Sequence, residues 1–160
     1  MLLLKRVFDL MRTDVSTVEA TAPAWDAVKT ILASMEHDNS MGACLIVNNH
    51  GEYEGILSVR DVLKHLDDTA LNDALRMSLG ADFEFQFEHY TDEALRVSAG
   101  SIARKPQPLT PTEPLAIAAS AMMAECRRFC PVVDNGKALG IVNLDDMFRL
   151  LVNPAVIEST

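Results

Sequence analysis

Two aspartates stand at the same distance behind a small polar residue, in Ser58-Val59-Arg60-Asp61 and Asn143-Leu144-Asp145-Asp146. An ionised aspartate accepts hydrogen bonds from both hydroxyls of a cis-diol, such as that of a ribose. A hydroxyl or amide three residues earlier reaches sugar or phosphate oxygen. If each quartet opens a helix, the unpaired N–H groups and dipole of the first turn favour an anion. The same pattern has a second reading. A Ser or Asn followed three residues later by an acid is also a helix cap, which satisfies backbone N–H groups and needs no ligand. The two readings are compatible, and residue chemistry does not choose between them.

The elements that must position these quartets also occur twice. Gly55-Ile56-Leu57 leads into the first and Gly140-Ile141-Val142 into the second, and an apolar-patterned helix follows each. Upstream lie Cys44-Leu45-Ile46-Val47 with a turn through Asn48, Asn49, His50 and Gly51, and Cys130-Pro131-Val132-Val133 with Asp134-Asn135-Gly136. Each reads as a β-hairpin. Further back, Thr21-Ala22-Pro23-Ala24 matches Thr112-Glu113-Pro114-Leu115. Trp25, Val28, Ile31, Leu32 and Met35 then fall on one helical face, as do Leu115, Ala118, Ala119 and Met122. An internal repeat dictates architecture. Each unit is expected to run extended segment, helix, strand, strand, helix, with an insertion in the first copy around Met35 to Met41.

The stretch from 67 to 105 between the units is too long and apolar for a plain linker. Leu71, Leu75 and Leu79 suit a helix. Phe83, Phe85 and Phe87 alternate with Glu84, Gln86 and Glu88, which predicts a short half-buried strand, and Thr91-Asp92-Glu93 a helix running towards Ala103. Pro106 and Pro108 mark an extended lead into the second unit.

Composition excludes several functions. The chain has 160 residues, 49% of them apolar and 23% charged, an ordinary globular balance. No apolar run reaches membrane length and the opening Met1-Leu2-Leu3-Leu4 is too short for a signal peptide, so a soluble, cytoplasmic protein with no membrane partner is expected. A net charge of −9 argues against nucleic acid as partner, and any anionic ligand must be held by local cations. Cys44, Cys126 and Cys130 lack zinc-like spacing and read as reduced thiols. The scattered His37, His50, His65 and His89 read as surface residues. No nucleophile–base arrangement, phosphate-binding glycine loop or pair of catalytic carboxylates is present, so enzymatic activity is not expected.

The doubled pattern resembles a tandem pair of CBS domains, the Bateman module. Val7-Phe8-Asp9-Leu10-Met11-Arg12-Thr13-Asp14-Val15 is similar to the run that leads into such pairs, Cys130-Pro131-Val132-Val133-Asp134 to the family's L-P-V-V-D, and the Gly55 and Gly140 stretches to its G-I-hydrophobic-[ST]-x-x-D. The resemblance covers residues 7–66 as a first motif and 106–152 as a second, with 67–105 as an insert. It implies a mixed α/β (α+β) fold of two β-α-β-β-α repeats packed with pseudo-twofold symmetry, clefts between them, and a homodimer. It also implies a regulatory role, binding AMP, ADP, ATP or S-adenosylmethionine, with magnesium as a further candidate, and signalling to a downstream protein that the sequence does not name.

On that resemblance the ligand-binding residues are Ser58, Arg60, Asp61, Arg128, Pro131, Asn143 and Asp146. The sites are unequal. Ser58 keeps the family hydroxyl where Asn143 departs from it, and Arg60 matches Asp145, a cation against an anion. Arg128 precedes the second hairpin, where the family often carries a phosphate contact; the first hairpin has Gly42 there. A solvated charge is the alternative for Arg128, and plain hairpin core for Pro131. Two further readings stand beside the sensor: a ligand-free dimerisation or interaction scaffold, and a divalent-cation sensor using Asp67-Asp68 or Asp145-Asp146.

Overall fold

Each Thr-to-Pro corner precedes a helix, with the proline at the N-cap in extended conformation, where it carries no N–H that would need a partner. In the computed structural model, which describes residues 5–39, 41–77, 82–125 and 127–152, Pro23 precedes α1 (Ala24–His37) and Pro114 precedes α6 (Leu115–Ala124). α1 buries Ala24, Ala27 and Ile31, and α6 buries Leu115, Ala118 and Met122. The insertion around Met35 in part lengthens α1, which has 14 residues against 10 in α6.

Both hairpins form. β2 (Ala43–Val47) pairs antiparallel with β3 (Tyr53–Ser58), and β4 (Phe129–Asp134) with β5 (Lys137–Asn143). Each carries a register slip at the matching place, Ile46/Val47 and Val132/Val133. Gly51 and Gly136 take positive φ in the turns, as tight hairpins require. β1 (Thr17–Glu19) runs parallel to β2. Its counterpart in the second unit is a single parallel bridge, Leu109 to Val132. Prolines 106, 108 and 111 remove donors around it, so a longer ladder has no hydrogen bonds to make.

Three clusters make the core. One gathers Val18, Ala27, Ile31, Cys44, Ile46, Leu57 and Leu95 in the first unit; a second gathers Val7, Leu115, Met122, Cys130, Val132, Val142 and Met147 around the second hairpin. The third, Met41, Ala43, Leu45, Ile56, Phe129 and Ile141, lies where the two hairpins meet. Val7 belongs to the second unit's core although it precedes the first unit. Its N–H donates to Glu113 O at 2.9 Å, and Leu115 N–H donates to Lys5 O at 2.9 Å.

The arms that lead into the units are thus exchanged. Arg12 and Ile141 trade backbone hydrogen bonds at 2.8 and 3.0 Å; Arg104 and Ile56 do the same at 3.0 and 2.8 Å. Both crossings pass over a glycine, Gly140 and Gly55, each with the arm's carbonyl where a Cβ would stand.

The insert is helical where described. α2 (Val59–Leu66) continues through a π-helical turn (Asp67–Leu71) into α3 (Asn72–Met77), followed by α4 (Phe83–Ala94) and α5 (Ala99–Ile102). Leu71 and Leu75 fall on this helical run, and Leu79 lies outside the described residues. The strand expected over Phe83 to Phe87 is instead the first turn of α4. Phe83 and Phe87 meet one turn apart, with ring centroids 6.0 Å apart, a contact that helical i,i+4 spacing provides. The helix expected from Thr91 to Ala103 is split after Ala94. The intervening carbonyls turn aside to cap α1: Ala24 N–H donates to Val97 O at 2.7 Å and Trp25 N–H to Leu95 O at 3.1 Å. Among the described residues no helix is long and apolar enough to cross a membrane.

Cys44 and Cys130 are buried free thiols, and Cys126 lies outside the described residues. Burial pushes the Cys44 thiol up to about 12 and raises Cys130 in the same direction. A raised thiol favours the neutral form. Its contribution to stability is therefore complete below the unfolded value, about 8.5, and is lost as pH rises towards 12. Mass-spectrometric mapping of alkylation at pH 8 is expected to find both thiols protected in the native protein and modified in denaturant. Between pH 9 and 11, stability should fall less steeply in Cys44→Ala than in the parent.

Candidate functional site

Ser58 ends β3 and caps α2, and the geometry of the pair it makes with Asp61 is reciprocal. Asp61 N–H donates to Ser58 Oγ at 3.3 Å, while Ser58 N–H and Oγ–H both donate to Asp61 Oδ2 at 2.9 Å. The capping reading of the first quartet therefore holds, and it leaves Oδ1 for something else. That oxygen accepts from Arg104 Nε at 2.6 Å. Asp61 is nearly enclosed, its side chain 8% exposed, while that of Arg104 is 49% exposed. Desolvation strengthens such a pair, and the open guanidinium returns part of that to solvent.

The second quartet is built from the same parts with different connections. Asn143 ends β5 and caps α7 (Leu144–Leu151), its Oδ1 accepting from Asp145 N–H at 2.9 Å. The Asn143 amide is fully buried, and its Nδ2 faces Met41 Sδ at 3.6 Å across the joint between hairpins. Asp146 takes Arg12 in a two-pronged pair, Nε to Oδ2 at 2.6 Å and Nη2 to Oδ1 at 2.8 Å. Arg12 Nη1 is also bonded to the Asp38 carboxylate at the end of α1. Two acids around one guanidinium raise its already high pKa further, and its side chain is 22% exposed.

The structure brings Ser58 with Asp61, and Asn143 with Asp145 and Asp146, to the starts of matching helices. Arg60 is exposed on the first turn of α2, beside Asp61 in sequence. Arg128 is half exposed and lies over the Phe129 ring at 5.7 Å, with Nη2 on Asp145 Oδ2 at 3.1 Å. Its carbonyl accepts from Leu144 N–H at 2.8 Å just as Gly42 O accepts from Val59 N–H at 2.9 Å, so the two positions do correspond. Pro131 is buried in β4 opposite Ile141. Among the described residues no group of three or more His, Cys, Asp or Glu could hold a metal ion.

Arg12 and Arg104 are the residues that sequence reasoning missed. Each reaches across to the aspartate of the other unit's helix. A signal existed: Ile102-Ala103-Arg104 repeats the apolar-apolar-Arg order of Leu10-Met11-Arg12. Two surface grooves lie elsewhere. One of about 520 Å³ is lined by Pro23, Trp25, Lys29, Asp92 and Arg96, the other of about 600 Å³ by residues including Glu19, Asn48 and Glu54. Neither includes a residue of the two quartets.

The sequence matches the model of a family described as CBS domain over residues 7–77 and 99–153. No curated protein matches the chain. Among solved structures it resembles the CBS domain of a CBS domain-containing membrane protein from Sphaerobacter thermophilus, at 23% identity and a TM-score of 0.70, over 94% of this chain and 90% of that one. It also resembles the CBS domain pair of protein MJ0100 in complex with 5-methylthioadenosine and S-adenosyl-L-methionine (21% identity, TM-score 0.66, 92% and 95% covered). A third likeness is to CBSX2 in complex with AMP (18%, 0.66, 94% and 98%).

Proposed function

This chain belongs to the CBS domain family, and from that premise we propose that it is a regulatory module that binds an adenosine-containing ligand at the starts of α2 and α7. The observation that carries the reading is the doubled carboxylate. Asp61 and Asp146 each stand in the first turn of a helix behind a hairpin, and each is approached by an arginine from the other unit's leading arm. A ribose diol on the carboxylate and a phosphate on nearby guanidinium groups would use both charges. Solved relatives with AMP, and with 5-methylthioadenosine and S-adenosyl-L-methionine, support that class of ligand. Ser58, Arg60 and Asp61 are the residues proposed for the first site, and Asn143, Asp146, Arg128 and Pro131 for the second. A second copy of the chain is the proposed partner, covering Leu32, Leu63, Ile117, Met123 and Phe148, which stand exposed on α1, α2, α6 and α7.

A scaffold without ligand is the second reading, and one observation favours it: both aspartates already hold an arginine. A thermal-shift series with AMP, ADP, ATP, S-adenosylmethionine and magnesium, repeated on Asp61→Ala and Asp146→Ala, separates the two. A ligand at 100 times its Kd stabilises the fold by about 2.7 kcal/mol. For a chain of this size that is a rise of about 5–10 °C. A rise with one adenosyl ligand that disappears in one aspartate variant is expected. Silence with every ligand, beside a stable dimer in sedimentation velocity, would leave the scaffold.

A further inference from the structure

We propose that Arg104 is the specificity-determining residue of the first site, a latch that leaves Asp61 for the phosphate when a nucleoside phosphate places its ribose there. The proposal rests on the nucleotide reading above and goes further, since it names the group that selects the ligand and the movement that follows.

Asp61 has two oxygens and their partners differ in kind. Oδ2 is committed to the cap, with both donors from Ser58, and those bonds belong to the fold of the helix start. Oδ1 is the oxygen turned away from the cap, and Arg104 Nε covers it. A diol that takes this carboxylate must therefore share or replace the guanidinium. The arginine is free to yield, because its main chain and side chain are held independently. Both backbone hydrogen bonds of Arg104 go to Ile56, which is fully buried, and its carbonyl lies tight against Gly55. Its side chain is half exposed, so the guanidinium can turn outward without disturbing the strand pairing. A displaced cation needs an anion. A phosphate at this helix start meets the released guanidinium of Arg104 and the dipole of α2.

The second site lacks this freedom. Arg12 is held by three charge-assisted contacts to two carboxylates, Asp146 and Asp38, and is largely covered. Moving it would leave two acids facing each other, and a phosphate arriving there would meet both. The first site is therefore the one that answers an anionic nucleoside.

The test is calorimetric titration of adenosine and AMP into the parent chain, Arg104→Ala, Arg104→Gln and Asp61→Ala, with circular dichroism melts to establish that each is folded. The parent should prefer AMP to adenosine by about tenfold, the weight of one charge-assisted hydrogen bond. Both Arg104 variants should bind adenosine more tightly than the parent, since the cover is gone, and AMP no better than adenosine. Asp61→Ala should lose the binding of both compounds at the first site. An arginine that only supports the fold would weaken both ligands equally, and that result, or an unchanged preference for AMP, overturns the latch while leaving the nucleotide reading intact. Folded parent and Arg104 variants that bind neither compound at millimolar concentration would overturn both.

Discussion

Gly140→Ala is expected to lower the melting temperature by about 6–12 °C, a loss of about 3 kcal/mol in a chain of this size. A Cβ at this position would enter the space of the Arg12 carbonyl oxygen, and neither of the two main chains has slack to give. The arm carrying Arg12 would have to lift off β5, breaking both backbone hydrogen bonds with Ile141 and moving the guanidinium away from Asp146. Gly55→Ala should behave alike, because its Cβ would lie 2.6 Å from Arg104 O. Gly51→Ala provides the contrast. Nothing lies within 4 Å of the added carbon, so only the positive φ opposes it, at about 1–2 kcal/mol. Thermal melts of the three variants test the ordering. If Gly140→Ala melts within 2–3 °C of the parent, about 1 kcal/mol, the exchange of arms is not tight.

Ile141→Ala is expected to cost about 2–5 kcal/mol by urea denaturation, the range for emptying a buried aliphatic site. Ile141 is fully buried and joins Leu45, Ile56 and Phe129 where the two hairpins meet. The cavity would open at the joint and behind the residue that holds Arg12, so the second site should loosen together with the fold. Ile56→Ala should cost a similar amount. The double variant should cost less than the sum, because neighbours in one cluster share the collapse. Leu32→Ala, on the outer face of α1 and 58% exposed, should change the stability of the single chain by less than about 0.5 kcal/mol. A similar small effect at Ile141 would mean that the hairpins do not depend on this cluster.

The hairpins, the helices around them and the two quartets were legible because similar residue types recur in the same order, and each copy corroborates the other. The insert had no second copy. Over Phe83 to Phe87 the pattern is ambiguous at its ends: Phe83 and Phe87, four apart, share a face in a strand and in a helix alike, and only Phe85, which stands 71% exposed on α4, distinguishes the two periods. The arginine partners were illegible for a different reason. Arg104 lies 43 positions from Asp61 and Arg12 lies 134 from Asp146, and each arm crosses at a one-residue bridge too short to carry periodicity. The caps were local, within three residues, and so could be read directly. What the caps left unpaired, and what came to pair with it, depended on the route of the chain.

That route sets an order of assembly. Domains generally fold as units, N-terminal ones first, as they are synthesised. Here residues 5–12 have no place to go until the second hairpin exists. Val7 needs the core of Leu115 and Val132, Arg12 needs Ile141 and Asp146, and the first unit in turn waits for Arg104. The arm that leads into the first unit therefore docks only once the second hairpin has been made, and its apolar Val7, Leu10 and Met11 stay uncovered until then. Two repeats that look separable on paper are tied by exchanged arms, each arm completing the core of the unit it does not lead into.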